Sequence, residues 1–238
     1  MASYPGTHMA NRLLARLPPT ELGRVSPHLE RIRLPPGTVV HAPNTPPRHL
    51  YFPLGGIVVL LNLRSDGSSD EIAIIGNEGV EGAVLLMGER SSTVRSIVQS
   101  EVAALRLPAW VARREFGRGG VLQSLLLRYV QALMTQIGQK AVCGRYHSLP
   151  QRLCCWLLLS LDRSSANHLH MTQACIARML GVRREGITSA AARLQKEGVL
   201  RYSRGHIVVL NRKGLEGQVC ECYRVIQREY RQLLGYCL

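Results

Sequence analysis

The sequence predicts an α+β fold in three parts: a β-rich N-terminal roll, one long helix, and a helical C-terminal region that closes with a short hairpin. Three observations predict it. Short apolar runs alternate with turn residues up to about residue 110, a proline-free stretch of helical periodicity follows, and signals for helix starts and stops then recur. We expect divisions at residues 11–117, 118–146, 147–213 and 214–238, the last a helical extension.

The composition is that of a folded protein with a strongly basic surface. Of the 238 residues, 46% are hydrophobic and 19% are charged, which is enough apolar material for a buried core. The 30 basic residues outnumber the 16 acidic residues and give a formal charge of +14. An excess of this size is typical of proteins that bind a polyanion, either a nucleic acid or an anionic membrane surface.

Membrane insertion is not expected. The longest apolar run, residues 153–161, is about half of the roughly 20 residues that a spanning helix needs. The N-terminus has no continuous apolar segment of the kind that marks a secretory signal, and the recognisable pattern begins after Met9. We therefore expect a soluble cytoplasmic protein without a membrane partner.

Five short apolar runs predict the strands of the N-terminal roll. Turn residues separate the runs, and Asp66-Gly67 supplies the positive φ angles that a hairpin tip requires. A short helix over residues 11–17 is expected before them. The predicted strands are residues 37–40, 56–61, 71–75, 94–98 and 102–107.

The long helix is predicted over residues 121–142. Its apolar stripe repeats at steps of three and four residues, which is the spacing of one helix face. Two interpretations of this stripe stay open: a parallel seam between two copies of the chain, or packing on the domain that the helix leaves. The seam residues would be Leu126, Val130, Leu133 and Ile137.

Residues 171–198 have the pattern of a helix-turn-helix. Thr172 is a natural N-cap, Gly181 is a natural helix stop, and a second helix follows over about residues 183–196. In such a unit the second helix projects its N-terminal residues into the major groove of DNA, where arginine and glutamate side chains match base edges. The residues expected at the DNA are Thr172, Gln173, Arg183, Arg184, Glu185, Thr188, Ser189 and Arg193.

A hairpin follows these two helices and forms a predicted wing. Residues 199–202 and 206–210 are its expected strands, and the tip places Arg204 and His206 near the DNA backbone. Residues 171–213 hold nine basic and two acidic residues, so half of the net charge of the chain lies in this segment. This concentration supports double-stranded DNA as the partner.

Taken in order, the β-roll, the long helix and the winged helix-turn-helix resemble the Crp/Fnr family, the cyclic AMP receptor-like transcription regulators of bacteria. The most specific match is residues 172–198, continued by residues 201–205. Family members begin the recognition helix with an Arg-Glu pair, matched here by Arg184 and Glu185, whereas Ser189 replaces a second base-reading arginine. The resemblance implies a homodimer through the long helix, a pseudo-palindromic operator with half-sites on the order of 34 Å apart, and contact with RNA polymerase if the protein is an activator.

The same resemblance implies a cyclic-nucleotide-binding-like domain in the N-terminal roll, but the ligand motif departs from the family pattern. Family members that bind cyclic nucleotides carry Gly-Glu-Leu followed by Arg-Ser-Ala, whereas Glu81-Gly82 reverses the first pair here. A cyclic nucleotide is allowed but not favoured, and a cassette whose residues are only structural is the alternative. The candidate effector pocket consists of Glu81, Gly82, Arg90, Ser91 and Arg95, in which Arg90 or Arg95 would hold a phosphate.

The seven cysteines all follow residue 142, which excludes the N-terminal cluster that holds iron and sulfur in the oxygen-sensing branch of the family. Cys220 and Cys222, with Cys237, suggest a soft metal or a thiol switch. Residues two apart point to different sides of the regular helix predicted over residues 215–234, so simple packing is the alternative. No metal ligand is assigned from the sequence, and haem stays open only through His41 and His49.

Two other classes of function compete with a regulator. A signalling module that acts through protein contacts would have only sequence-independent affinity for DNA. An enzyme is not expected, because the sequence contains no phosphate-binding loop, dinucleotide fingerprint, nucleophile elbow or zinc-protease motif. The leading hypothesis is a sequence-specific, effector-controlled DNA-binding transcription regulator.

Overall fold

The computed structural model describes residues 7–88, 93–164, 167–236 and 238. The described chain divides into two units, one formed by the residues up to Leu60 with Ile75–Leu133 and the other by Leu61–Ile74 with Met134–Leu238. Strands and helices are mixed along the chain as an α+β fold requires, so this prediction is confirmed. In the described part, no helix has both the length and the apolar character needed to cross a membrane.

Five strands form the sheet that begins in the first unit: β1 (Glu30–Leu34), β2 (Val39–His41), β3 (His49–Leu63), β4 (Ser69–Ile75) and β5 (Val94–Pro108). The strand order is β1-β5-β3-β4, and β2 also pairs with β5. The two strands predicted over residues 94–98 and 102–107 are one continuous strand, and β1 was not predicted. The buried centre of this sheet consists of Val58, Ile75, Val98, Val102 and Ala104.

The N-terminal helix predicted over residues 11–17 is wrong. The structure has a single 3₁₀ turn at Leu14–Arg16, and α1 follows at Pro19–Val25. Asn11 accounts for the difference, because its Oδ1 accepts hydrogen bonds from the backbone N–H groups of Leu13 and Leu14 at 3.1 and 3.2 Å. A side chain that caps the backbone locally in this way competes with a regular helix.

After α2 (Ala109–Gly117), the helix α3 runs over Val121–Tyr146. The Glu21 carboxylate accepts hydrogen bonds from the N–H groups of Val121 and Leu122, each at 2.8 Å, and so satisfies two donors at the start of the helix. The predicted helix over residues 121–142 is therefore confirmed and continues for one more turn.

Two of the four residues predicted for a seam on this helix pack inside the chain. Leu126 is only 1% exposed, and Leu133 packs against the buried centre of the sheet. Val130 and Ile137 are half-buried within one chain. The predicted stripe therefore serves partly as the core of the protomer, which is the alternative that the sequence left open.

A face of α3 that overlaps the predicted stripe carries two exposed apolar side chains. Leu127 is 53% exposed and Met134 is 66% exposed. With the half-buried Val130 and Ile137, these residues follow one another at steps of three, four and three residues, which is the spacing of a coiled-coil seam. We call Leu127, Val130, Met134 and Ile137 the outer face of α3.

The second unit contains five further helices and a three-stranded sheet of order β6-β8-β7. The strands are β6 (His168–His170), β7 (Leu200–Ser203) and β8 (His206–Val209). The helices are α4 (Leu149–Leu161), α5 (Gln173–Leu180), α6 (Arg184–Lys196), α7 (Arg212–Gln218) and α8 (Glu221–Leu234). The single helix predicted over residues 215–234 is wrong, because Val219 and Cys220 have extended backbone and divide it into α7 and α8.

Candidate nucleic-acid interface and sensor site

The helix-turn-helix forms where the sequence predicts it. The Thr172 side chain caps α5 by accepting a hydrogen bond from the Cys175 N–H at 3.2 Å. Gly181 ends α5 in the left-handed conformation, at φ 63°. Because a glycine adopts this conformation without steric cost, the chain turns sharply and α6 begins three residues later.

The start of α6 presents polar side chains to solvent, while its other face is buried. The residues predicted to project from the start of this helix are all exposed: Arg183, Arg184, Glu185, Thr188 and Ser189. The opposite face of the helix holds Ile187, Ala190, Ala191 and Leu194, all of them buried. The apolar face packs the helix onto the protein, and the polar row stays at the surface.

Polar side chains of the same chain already pair with Gln173, Thr188 and Arg193, which the sequence predicts at the DNA. Thr188 Oγ1 lies 2.7 Å from Gln173 Oε1, so a hydrogen bond joins α6 to α5. Arg193 pairs with Glu197 one turn further on, at 2.9 Å. Arg193 therefore lies in the last turn of α6, away from the exposed residues at the start of the helix.

The wing is confirmed as the hairpin of β7 and β8. Arg204 is exposed at its tip and has a φ of 47°, and His206 is the first residue of β8. The Tyr202 hydroxyl donates a hydrogen bond to the carbonyl oxygen of Met171 at 2.6 Å, which anchors the wing to the start of the helix pair. Burial raises the pKa of this tyrosine to about 12, so the hydroxyl remains a donor.

One neighbour of the wing was missed by the sequence interpretation. His170, on β6, pairs with His206, and the ring centroids lie 3.5 Å apart. Both residues are exposed. A three-residue strand of the sequence His-Leu-His carries too short an alternation to be recognised, so no signal could have placed His170 beside the wing.

Glu81, a candidate effector-pocket residue, is buried and hydrogen-bonded inside the first unit. It is 4% exposed, and its Oε1 accepts a hydrogen bond from Ser96 Oγ at 2.9 Å. Its backbone forms an isolated bridge with Tyr51. Burial raises the pKa of Glu81 to about 7. In this arrangement the carboxyl group is packed in the protein interior and bonded to a neighbouring strand.

Of the other candidate effector-pocket residues, the structure describes Gly82 and Arg95. Gly82 follows Glu81 with a φ of 90°, and a Cβ there would lie 2.7 Å from the His49 carbonyl oxygen. Arg95 precedes Ser96 on β5, and because neighbouring strand residues point to opposite faces, it points away from Glu81. Arg90 and Ser91 lie outside the described residues.

Glu81→Gln is expected to flatten the pH dependence of stability. The pKa of this carboxyl group is 4.5 in the unfolded chain and about 7 in the folded protein, so the folded protein binds the proton more tightly. The stability that this proton contributes is therefore lost as the pH rises through this range. The wild-type free energy of unfolding should therefore fall by roughly 3 kcal/mol more than that of the variant between about pH 4.5 and 7. Urea titrations of both proteins across this range measure the difference, and parallel curves would contradict it.

A group of thiols lies at the junction of α3 and α8. Cys143 Sγ is 3.5 Å from Cys220 Sγ, and Cys222 Sγ is 3.5 Å from Nδ1 of His147. Hydrogen bonds from Cys143 and Cys155 lower the pKa of Cys220. The pair predicted to point apart on one helix converges, because Cys220 precedes α8 rather than lying within it. Cys237 lies outside the described residues.

The two histidines that left haem open lie in the first unit. His41, on β2, is 7% exposed, and its Nε2 has no hydrogen-bond partner within the described part of the chain. His49, at the start of β3, lies beside Tyr51 with ring centroids 5.9 Å apart. Burial lowers the pKa of both imidazoles.

Two family models match the chain. A model described as a Crp-like helix-turn-helix domain matches residues 151–217, and a model described as a cyclic nucleotide-binding domain matches residues 31–112. Together they account for more than half of the 238 residues. A search of curated proteins finds no match.

Solved structures similar to this one share its fold at low sequence identity. FixK2 from Bradyrhizobium japonicum is 18% identical, with a TM-score of 0.68 over 81% of this chain and 98% of that one. A transcriptional regulator of the CRP/FNR family from Thermus thermophilus is 20% identical, with a TM-score of 0.62 over 79% and 97%. The c-di-GMP responsive global regulator CLP from Xanthomonas campestris is 18% identical, with a TM-score of 0.61 over 80% and 98%.

Proposed function

Because this chain belongs to the Crp/Fnr family of DNA-binding transcription regulators, we propose that it binds a pseudo-palindromic operator as a homodimer, with α6 of each copy in the major groove. The observation that carries the proposal is the exposed row at the start of α6, held in place by a buried face and a capped α5. Two-fold symmetric dimers place such helices about one turn of DNA apart, on the order of 34 Å.

Each exposed side chain of this row has a distinct role in the proposal. Arg184 pairs with the O6 and N7 acceptors of a guanine, and Glu185 accepts from the amino group of a cytosine. Ser189 takes the position of a second reader and tolerates more than one base. The residues that meet phosphates or sugars are Thr172, Gln173, Arg183, Thr188, Arg193, Arg204 and His206.

The outer face of α3 is the proposed dimer interface. Its spacing alternates three and four residues, and two such helices side by side would cover the exposed Leu127 and Met134 of both copies. Burying these side chains removes apolar surface from water, which favours association. The proposed seam keeps Val130 and Ile137 of the predicted stripe, and the neighbouring Leu127 and Met134 take the places of Leu126 and Leu133.

We assign residues 11–117 to the sensor, 118–146 to the dimer helix, 147–213 to the DNA-binding domain and 214–238 to an extension. Strand β4 of the β3–β4 hairpin supports control of DNA binding from the sensor. Within the second unit, Glu71 accepts hydrogen bonds from Lys140 Nζ at 2.8 Å and from Trp156 Nε1 at 3.1 Å. An effector that shifts this hairpin would move α3 and α4 and change the population of the DNA-binding arrangement. In an activator, RNA polymerase is the further partner.

The test compares two arginine variants on a selected operator and on random duplex at physiological salt. Arg184→Ala is expected to weaken operator binding by about 1–3 kcal/mol per half-site and to relax the preference at one base pair. Arg204→Ala removes the same charge from the wing, so it should weaken both duplexes alike and reduce the salt slope by about one. Base reading by α6 is contradicted if the wild-type protein binds both duplexes equally, or if Arg184→Ala keeps the base preference. Either result would favour sequence-independent electrostatic binding.

A further inference from the structure

The thiol group beside α8 contains four side chains with the composition of a metal site. Cys143 lies in the last turn of α3 and His147 directly follows that helix, whereas Cys220 and Cys222 lie at the start of α8. One ligand atom from each residue lies within 4.8 Å of all the others. No other group of His, Cys, Asp and Glu in the described residues meets this criterion with three or more members.

The distances match tetrahedral coordination. Bonds of about 2.3 Å to sulfur and about 2.0 Å to nitrogen, at tetrahedral angles, place two thiolates about 3.8 Å apart and a thiolate about 3.5 Å from an imidazole nitrogen. The observed separations are 3.5 Å between the sulfurs of Cys143 and Cys220, and 3.5 Å between the Cys222 sulfur and His147 Nδ1. A disulfide would instead bring two sulfurs to about 2.05 Å.

The imidazole is oriented as metal-bound histidines are. Nδ1 of His147 faces the sulfur of Cys222, while Nε2 lies 3.0 Å from the carboxylate Oε1 of Glu221. Metal-ligating histidines typically donate their other ring N–H to a carboxylate, which fixes the ring and raises its basicity as a ligand. Glu221 is 70% exposed, so its place beside His147 does not follow from packing.

The local structure explains how the four residues converge. Cys220 has a φ of −70° and a ψ of 165°, so it precedes the first turn of α8 and its side chain is not bound by helical spacing. The three cysteines are 6% exposed or less, and the His147 side chain is 12% exposed. A site closed to solvent by four protein ligands is typical of structural zinc rather than catalytic zinc.

We propose that Cys143, His147, Cys220 and Cys222 bind one Zn²⁺ ion, which joins the end of α3 to the start of α8. Three thiolates and an imidazole select a borderline-soft tetrahedral ion over Mg²⁺ or Ca²⁺, which take oxygen ligands. The bound ion would fix the C-terminal extension to the long helix, and its loss would free α8. This site does not depend on the identity of the operator or of the effector.

The first test is the zinc content of the full-length protein, purified with reductant and dialysed against a weak chelator. The expected result is about one zinc per chain in wild type and in the control Cys154→Ala, which removes a buried thiol outside the four ligands. Cys222→Ser is expected to lose the metal. Zinc-free wild type after reconstitution, or equal zinc in Cys222→Ser, would overturn the proposal.

The second test uses a variant outside the four ligands, because substitution of a ligand can prevent folding. Glu221→Gln changes an exposed side chain, so folding should be retained while the zinc affinity falls by about 10- to 100-fold in competition with a chromogenic chelator. If these thiols served only in packing, Glu221→Gln would leave the zinc affinity unchanged. Co²⁺ reconstitution of wild type should give the intense visible bands of tetrahedral thiolate coordination, and a weak octahedral spectrum would overturn the assignment.

Discussion

Met134→Glu is expected to convert the protein from a dimer to a monomer and to lower its operator affinity by more than about a thousandfold. Met134 is 66% exposed on the outer face of α3, so the substitution leaves the interior of each chain unchanged. In a parallel pair of helices, however, it places two carboxylates opposite each other in an apolar seam, where neither is solvated or paired.

The size of the effect follows from the symmetry of the operator. Specific complexes of this kind bind at about 10⁻⁸ to 10⁻¹¹ M, and the two half-sites share that free energy. A monomer that holds one half-site retains about half of it, which corresponds to micromolar affinity or weaker. Sedimentation velocity and operator titration measure the two consequences in the same preparation.

Arg128→Glu is the matched control, because it adds a glutamate to an exposed position on the same helix but outside the outer face. It should leave the dimer intact. A dimeric Met134→Glu protein, or equal dissociation of both variants, would contradict the assignment of the interface to the outer face.

Gly56→Ala is expected to destabilise the first unit by about 3 kcal/mol or more, which lowers the melting temperature by roughly 10 °C. Gly56 has a φ of 83°, and a Cβ at this position would lie 2.1 Å from the carbonyl oxygen of Glu101. A positive φ is unfavourable for any residue that has a side chain. The added Cβ would also clash with backbone atoms, which cannot move aside as the end of a flexible side chain can.

The neighbouring glycine provides the control for this effect. Gly55 lies in the same strand, its φ is not positive, and a Cβ there meets nothing within 4 Å. Gly55→Ala should therefore be neutral or stabilising by up to about 1 kcal/mol. Thermal unfolding followed by circular dichroism compares the two, and equal melting temperatures would contradict the close approach of β3 and β5 at Gly56.

Local signals were enough to predict the helix-turn-helix and the long helix. Thr172 and Gly181 cap α5 through interactions with residues a few positions away, so the sequence contains the whole of that information. The hairpin tip at Asp66-Gly67 is likewise local: Gly67 has a φ of 81°, and Asp66 accepts from the Ser68 N–H at 2.8 Å. Periodicity and turn chemistry are reliable where the deciding contacts are close in sequence.

The features that were missed depend on contacts distant in sequence. β1 has the sequence Glu-Arg-Ile-Arg-Leu, whose charges hide a strand that pairs with β5 some 70 residues later. The outer face of α3 differs from the predicted seam at two of its four residues, because only the packing of Leu126 and Leu133 within the chain decides which positions are covered. The four ligands join residues 77 positions apart, a separation that no local spacing rule reaches.

The measurement that tests the central claim most directly is selection of duplex DNA from a random pool by the purified protein. Parallel selections with and without reductant and zinc also show whether the thiol site affects binding. The account predicts a motif with two-fold symmetry and half-sites about one helical turn apart, on the order of 34 Å. Recovery of all sequences alike, or of a motif without two-fold symmetry, would contradict a dimer that reads bases through α6.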